Sequence, residues 1–109
     1  MDKRDRVLLD KILEEVETIT DLIDGYDCES FISDEKTKRA VCMTLINIGE
    51  LVKLLSDSLK KNSSSIPWRA IAGLRDVTAH GYQTLRMEDI WETVKTDIPK
   101  LRKQIDGLK

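Results

Sequence analysis

The hydrophobic residues in the first part of the chain repeat at the spacing of an amphipathic helix. Between residues 3 and 24 they recur every three or four positions, at Leu8, Ile12, Val16, Ile19 and Ile23. This spacing places them on one face of a helix, which must bury that face against other elements. Gly25 is expected to end this first helix, and residues 26–30 are expected to form a short loop.

A second helix is predicted after residue 33, and it is apolar on two sides. Ser33 is the expected N-cap, since its hydroxyl can accept from the free N–H groups of the first turn. One stripe consists of Val41, Leu45, Ile48, Val52, Leu55 and Leu59, and a second set consists of Ala40, Met43, Leu51 and Leu54. A helix with two apolar sides must bury both. The second side can pack against other helices of the chain or against a second copy of it, and the pattern leaves both open.

The second half of the chain contains one short and one long helical pattern. Residues 60–65 are polar and are expected to form an exposed, flexible loop, and Pro67 suits the start of a helix over residues 68–79. A fourth helix is expected from Met87 nearly to the end, with apolar residues at positions 87, 91, 94, 98, 101, 105 and 108. Pro99 lies inside this pattern and removes one backbone donor, so we expect the helix to be kinked or split there.

These helices predict an all-α, antiparallel, up-and-down four-helix bundle that forms one domain over residues 1–109. One histidine and two cysteines are too few ligands for a zinc site, so no metal is expected. Cys42 lies in an apolar run, which favours a buried free thiol over a bridge to Cys28. The charged N-terminus and the absence of an apolar stretch of roughly 18 residues predict a cytoplasmic protein with no membrane span.

The net charge of −2 conceals an asymmetry along the chain. Residues 60–86 carry a formal charge of +4, and the remainder carries −6. The charged residues of the positive segment are Lys60, Lys61, Arg69, Arg75 and Arg86, against the single acid Asp76. A local basic surface can bind phosphate groups even on a weakly acidic protein. Charges outside this segment, such as Lys36, Lys38 and Arg39, are interpreted as solvated helix faces.

Chemistry is expected within residues 73–82, which contain the only histidine. Arg75 and His80 are five residues apart, or about 140° around an ideal helix, so they converge only if the helix loosens near Gly81. Taken alone, His80 can simply interact with the negative end of the helix dipole, and Asp76 can pair with it across one turn.

The surrounding residues change this interpretation. The strings that matter are Ile66-Pro67-Trp68-Arg69, Gly73-Leu74-Arg75-Asp76 and Ala79-His80-Gly81-Tyr82. Together they resemble the HepT-like branch of the HEPN superfamily, whose signature Arg-x-x-x-x-His-x-Tyr is met by Arg75, His80 and Tyr82. Residues 39–41 and 48–50 are similar to the second-helix pattern of this branch, and Trp91 with residues 97–101 is similar to its last-helix pattern.

The resemblance implies a metal-independent endoribonuclease with no cofactor, the toxin-side partner of an MNT-type minimal nucleotidyltransferase. His80 would transfer protons and Arg75 would bind phosphate, so that the 2′-hydroxyl of the RNA attacks and leaves a 2′,3′-cyclic phosphate. Because each chain has one histidine, an acid–base pair of histidines requires a homodimer, which the two-sided second helix favours. The resemblance also implies that the partner adenylylates Tyr82 and thereby competes with RNA for the same cations.

One residue departs from the branch. The position after the arginine is often Asn, and here it is Asp76, which can support the site, repel RNA phosphate or hold Arg75 in an ion pair. The further residues expected to bind RNA phosphates are Lys60, Lys61, Arg69 and Arg86. Two alternatives remain open. One is a non-catalytic HEPN module that binds RNA or nucleotide, or completes a nucleotidyltransferase, and the other is a purely structural helical dimer.

Overall fold

The computed structural model describes residues 1–78 and 82–109, and within these ranges the chain is helical with no β-strand. The first half contains α1 (Lys3–Ile23), α2 (Cys28–Ser33), α3 (Glu35–Leu54) and α4 (Asp57–Asn62). The second half contains α5 (Trp68–Ala72), the 3-10 segments Gly73–Thr78 and Tyr82–Thr84, α6 (Met87–Glu92), a π-helical stretch Thr93–Asp97 and α7 (Ile98–Asp106). The predicted all-α antiparallel bundle is therefore confirmed, with short helices added between its long ones.

The core is formed by the apolar stripes that the sequence predicts. α1 packs against α3 and α7, and the stripe residues between them are almost completely buried. These residues are Ile12, Val16, Ile19, Val41, Leu45, Ile48, Val52, Leu101 and Ile105. Burial of this apolar area is the main contribution to the free energy that holds the helices together. Cys42 joins the core as a buried free thiol, so the prediction of no bridge to Cys28 is confirmed.

The connection between α1 and α3 is more ordered than the sequence analysis predicts. Residues 26–30 were expected to form a loop, but Asp27 and Ser30 make a capping box that starts α2. The Asp27 carboxylate accepts from Ser30 N at 2.8 Å, and the Ser30 hydroxyl accepts from Asp27 N at 3.0 Å. The expected N-cap of the next helix, Ser33, is also wrong, because Ser33 ends α2. Asp34 caps α3 instead and accepts from Thr37 N at 3.0 Å.

The second long helix ends at Leu54, earlier than its apolar pattern predicts. Ser56 interrupts it by donating twice to the buried Asp5 of α1, from its backbone N at 2.9 Å and from its hydroxyl at 2.5 Å. The prediction that residues 60–65 form an exposed loop is wrong in part. Residues 60–62 belong to α4, and Ser63 is buried, where it accepts from Trp68 Nε1 at 3.1 Å.

The last long helix is divided just before Pro99, as the sequence predicts. The five residues Thr93–Asp97 are π-helical, and α7 begins at the next residue with Pro99 in its first turn. A proline cannot donate to the preceding turn and its ring displaces that turn's carbonyl, which the wider π-helical turn accommodates. No helix in residues 1–78 or 82–109 is long and apolar enough to span a membrane.

Candidate functional site

The segment that carries Arg75 is a 3-10 helix. The sequence predicts an α-helix over residues 68–79, but the α-helix ends at Ala72, and the tighter 3-10 form continues from Gly73 to Thr78. Gly73 is a poor α-helix residue, and a 3-10 helix has poorer hydrogen-bond geometry than an α-helix. Helix propensity therefore does not determine the position of Arg75. Packing against a neighbouring helix determines it.

That packing partner is α3, at Gly49. A Cβ atom on Gly49 would lie 2.5 Å from the backbone N of Arg75 and 3.0 Å from the carbonyl O of Ala72, closer than any side chain can approach. The missing side chain of Gly49 lets the backbone of the 3-10 segment lie directly on the backbone of α3. The main chain at Arg75 is thus positioned by helix-on-helix contact.

The side chain of Arg75 is partly exposed and lies near two carboxylates. Its Nη1 is 3.9 Å from Glu50 Oε1, and its Nε is 3.8 Å from Asp76 Oδ1. About 38% of the Arg75 side chain is exposed, so both ion pairs are screened by water and contribute little to stability. The ion pair between Arg75 and Asp76 that the sequence analysis considered is therefore present. Glu50 was not predicted as a partner, although it directly follows Gly49, against which the 3-10 segment packs.

Tyr82 lies at the other end of α3, against its first turns. The Cζ atom of Arg39 is 4.5 Å from the centre of the Tyr82 ring, a cation–π distance. Arg39 Nε donates to Glu35 Oε1 at 3.1 Å, and Lys38 Nζ is 3.0 Å from Glu35 Oε2. The interpretation of these cations as solvated charges is wrong for Lys38, which is only 14% exposed. For Arg39 it misses the contact with Tyr82.

The hydroxyl of Tyr82 is buried and makes no hydrogen bond to the part of the chain that the structure describes. Burial raises the pKa of Tyr82. The Glu35 carboxylate raises it further, first because the phenol hydroxyl faces it, too loosely for regular hydrogen-bond geometry, and then through its negative charge. Lys38 and Arg39 have the opposite effect on Glu35, whose pKa is lowered, first by the contact with Lys38. The phenol is therefore held in its neutral form beside a carboxylate held in its charged form.

The two predicted site residues that the structure describes, Arg75 and Tyr82, are docked on α3 at separate points. Their docking residues, Gly49 and Arg39, are ten positions apart, which corresponds to about 15 Å along the helix axis. Arg75 is therefore docked near the middle of α3 and Tyr82 near its start. His80 lies between them in the sequence but outside the described residues, so its predicted place beside Arg75 stays a prediction.

The other predicted phosphate-binding residues do not form one cluster. Lys60 and Lys61 are in the last turn of α4, and Arg69 is in the first turn of α5. Lys60 and Arg69 line the same open groove with Trp68. Arg86 lies apart, ahead of α6, where its Nε is 3.9 Å from Asp89 Oδ2.

The second apolar side of α3 is open. Met43 and Leu54 are 58% and 49% exposed, although the main stripe of the same helix is completely buried. Between them, Leu51 and Glu50 line a shallow depression against α1. Helices within the described ranges therefore leave Met43 and Leu54 uncovered, whereas Leu51 is half-buried against the core. Because Glu50 is also the ion-pair partner of Arg75, the uncovered side borders the Arg75 site.

Comparison with known proteins gives the family. The model of the family described as "Ribonuclease HepT-like" matches residues 12–108. The chain is 38% identical over 103 residues to "Putative RNase TTE0752" of Caldanaerobacter subterraneus subsp. tengcongensis, covering 94% of this chain and 92% of that protein. It is 36% identical over 101 residues to "Probable ribonuclease HepT" of Thermococcus cleftensis, covering 93% and 92%. No solved structure matches the chain significantly. The chain therefore belongs to the HepT-like ribonuclease family of the HEPN superfamily, and the predicted enzyme class, an endoribonuclease, is confirmed.

Proposed function

We propose that the chain is the toxin of a type II or adenylylation-controlled toxin–antitoxin pair, which cleaves RNA in the cytoplasm without a metal ion. The observation that carries this proposal is the position of Arg75. Its backbone is fixed on α3 at Gly49, and its side chain is partly exposed, with long ion pairs to Glu50 and Asp76 at 3.8–3.9 Å. A guanidinium held this way can exchange a carboxylate partner for the two oxygens of an RNA phosphate.

The reaction follows from the chemistry of the two signature residues. One imidazole takes the proton of the 2′-hydroxyl, the 2′-oxygen forms a bond to phosphorus, and a second imidazole gives a proton to the departing 5′-oxygen. The products are a 2′,3′-cyclic phosphate and a free 5′-hydroxyl. Arg75 stabilises the extra negative charge of the transition state, and a histidine has a reference pKa near neutrality that suits both proton transfers.

We place this reaction at a site shared by two chains. The sequence has a single histidine, so a pair of imidazoles requires two copies of the chain. The side of α3 that carries the exposed Met43 and Leu54 is the surface that we propose for the homodimer, because exposed apolar side chains on one helix face can be buried by a second copy. It borders Glu50 and therefore Arg75, so that pairing there would bring two sites together.

The partner that silences the enzyme is proposed to be a minimal nucleotidyltransferase of the MNT type. It would transfer AMP to Tyr82. Tyr82 Oη attacks the α-phosphorus of ATP, an O–P bond forms, pyrophosphate leaves and the hydroxyl proton is released. Support for a special role of Tyr82 comes from its ring, which the guanidinium of Arg39 covers at 4.5 Å on the first turns of α3.

The ribonuclease mechanism is tested by incubating the purified protein with single-stranded RNA in the presence of EDTA. We expect cleavage to persist in EDTA, to yield 2′,3′-cyclic phosphate ends, and to fall at least a hundredfold in His80→Ala. Cleavage that disappears in EDTA, or that is unchanged in His80→Ala, would contradict the mechanism. Leu54→Glu should convert a dimer to a monomer in sedimentation and reduce cleavage in parallel.

A second candidate function is RNA or nucleotide binding without turnover. The observation that favours it is the pair of carboxylates, Glu50 and Asp76, within 4 Å of Arg75. Two negative charges there reduce the positive potential that a phosphate meets. An RNA-binding titration beside the cleavage assay separates the two. Binding that depends on Arg75, with no cleavage at any enzyme concentration, identifies the binding module.

A further inference from the structure

The ring of Tyr82 contacts a network of three charged side chains on the first two turns of α3. Arg39 covers the ring at 4.5 Å, and the Glu35 carboxylate holds Arg39 by a 3.1 Å hydrogen bond. Lys38 holds the other oxygen of Glu35 at 3.0 Å. All three charged residues belong to α3, so they connect Tyr82 to the helix on which Arg75 is also docked.

Tyr82 is retained by its ring and not by its hydroxyl. Tyr26 shows the alternative, because its hydroxyl donates to Asp34 Oδ2 at 2.5 Å and lies 3.1 Å from Thr37 Oγ1. The Tyr82 hydroxyl is buried without such a partner among the described residues. Removing its oxygen therefore costs no hydrogen bond of regular geometry, only the loose contact with Glu35. Adding a bulky anion to it would bury that anion where Arg39 and Lys38 are already paired with the Glu35 carboxylate, and a buried charge without a full set of partners is unfavourable.

The contact with Arg39 is the second of two points at which the segment is docked on α3. The first is the backbone contact between Arg75 and Gly49, about 15 Å along the helix. Residues 76–81 connect the two points in the sequence. If the Tyr82 contact breaks, Tyr82 is no longer held on α3, and the contact of Arg75 with Gly49 remains.

We propose that Arg39 and Tyr82 form a charge-sensitive anchor that positions the chain beyond Arg75, and that an anionic group on Tyr82 releases it. The proposal rests on the proposed function, in which Tyr82 is the modified residue. The phosphodiester of adenylylated Tyr82 carries one negative charge and is far larger than the hydroxyl that it replaces. It cannot stay buried beside Glu35, so Tyr82 leaves the face of Arg39 and the segment loses its second anchor. Arg39 is thus a positioning residue of the ribonuclease.

The anchor can be tested without the partner enzyme, on five variants of the full chain. Tyr82→Glu places a charge on the segment, and Tyr82→Phe removes only the hydroxyl oxygen. Arg39→Gln removes the cation, and Arg39→Lys retains it. Arg102→Gln is the matched control, because Arg102 is also a surface arginine paired with a glutamate, Glu17, at 3.4 Å.

Two readouts are used, amide hydrogen exchange of residues 82–86 and the kcat and KM for single-stranded RNA. Tyr82→Glu and Arg39→Gln are expected to exchange about two- to fivefold faster, the range that one cation–π contact produces. Both should lower kcat with KM nearly unchanged, since Arg39 positions the segment and does not bind RNA. Arg39→Lys and Arg102→Gln are expected to stay close to the wild type in both readouts, and Tyr82→Phe is expected to change both much less than Tyr82→Glu does.

The proposal is overturned if Arg39→Gln behaves as Arg102→Gln does, or if Tyr82→Phe is damaged as much as Tyr82→Glu. Circular dichroism verifies the fold of each variant, and if Tyr82→Glu does not fold, the pair Arg39→Gln and Arg39→Lys decides. If the wild type does not cleave RNA, the proposed function fails, and the exchange data still support or overturn the anchor.

Discussion

The two ends of the segment between Arg75 and Tyr82 are held on α3 by different forces. At the Arg75 end, a backbone lies on a backbone, and Gly49 leaves no room for a single methyl group. At the Tyr82 end, a guanidinium covers an aromatic ring and a buried hydroxyl has no hydrogen-bond partner in the described part of the chain. The Arg75 end is therefore sensitive to the side-chain volume at Gly49, and the Tyr82 end is sensitive to charge near the ring. A position that is set by close packing does not respond to an added charge. A position that is set by electrostatic contacts can change when a covalent modification adds a charge.

The largest effect is expected from adding volume at the Arg75 end. Gly49→Ala should push the 3-10 segment off α3, because its Cβ would lie 2.5 Å from Arg75 N. A displacement of about 1 Å at a catalytic group can reduce a rate by about a hundredfold, and we expect a loss of that size in kcat for RNA. The overpacking should also lower the free energy of unfolding by about 1–3 kcal/mol, measured by urea denaturation.

The matched control for this change is Gly73→Ala, on the opposite side of the same contact. A Cβ atom on Gly73 would meet nothing within 4 Å. The substitution should leave kcat unchanged and should leave the free energy of unfolding equal or raised by up to about 1 kcal/mol. Equal losses in the two variants would show that the close approach at Gly49 does not position Arg75.

A smaller effect is expected from removing charge at the Arg75 end. Glu50→Gln should strengthen RNA binding about two- to fivefold at low salt, because a phosphate no longer competes with this carboxylate for Arg75. The ion pair is long and exposed, so the free energy of unfolding should change by less than about 0.5 kcal/mol. Glu14→Gln is the control, since Glu14 lines the same depression as Glu50. If both variants bind RNA equally well, Glu50 has no specific role at Arg75.

The smallest effect is expected from removing the hydroxyl at the Tyr82 end. Tyr82→Phe should leave the free energy of unfolding unchanged at neutral pH, and Tyr26→Phe should lower it by about 1–2 kcal/mol because it loses the hydrogen bond to Asp34. Burial and Glu35 raise the pKa of Tyr82 above its usual value of 10.0, so the folded chain keeps the proton longer than the unfolded chain does. The wild type should therefore lose stability as the pH rises above 10, and Tyr82→Phe should lose less.

Urea denaturation at a series of alkaline pH values measures this difference. An equal loss of stability in Tyr82→Phe and Tyr26→Phe at neutral pH would show that the Tyr82 hydroxyl makes a full hydrogen bond. The conclusion that this end is held by charge alone would then be wrong.

Much of the fold could be predicted because its information lies in local periodicity. The stripes of α1 and α3 and the division at Pro99 are set by side chains a few residues apart, which a reader of the sequence can count. The short helix α2 is also encoded locally, since its capping box consists of Asp27 and Ser30, three positions apart, although the polar composition of residues 26–30 favours a loop. The end of α3 could not be predicted from the local sequence, because it depends on the hydrogen bond from Ser56 to Asp5, which is 51 positions away.

The candidate site divides in the same way. Arg75 and Tyr82 could be named from their spacing, and the ion pair with the adjacent Asp76 could be foreseen. The contacts that position them could not, because Gly49 and Arg39 become neighbours of the segment only when it folds back along α3. Lys38 and Arg39 look like solvated charges in an amphipathic pattern, and only the tertiary structure places them beside Tyr82.

Single-turnover cleavage in EDTA measures whether the segment docked at Gly49 presents Arg75 to RNA. The wild type and Arg75→Ala are compared on the same labelled single-stranded RNA, with Arg102→Gln as a control for loss of a positive charge. We predict metal-independent cleavage by the wild type and by Arg102→Gln, and a rate at least a hundredfold lower for Arg75→Ala. Equal rates for the wild type and Arg75→Ala, or no cleavage by the wild type, would contradict the account.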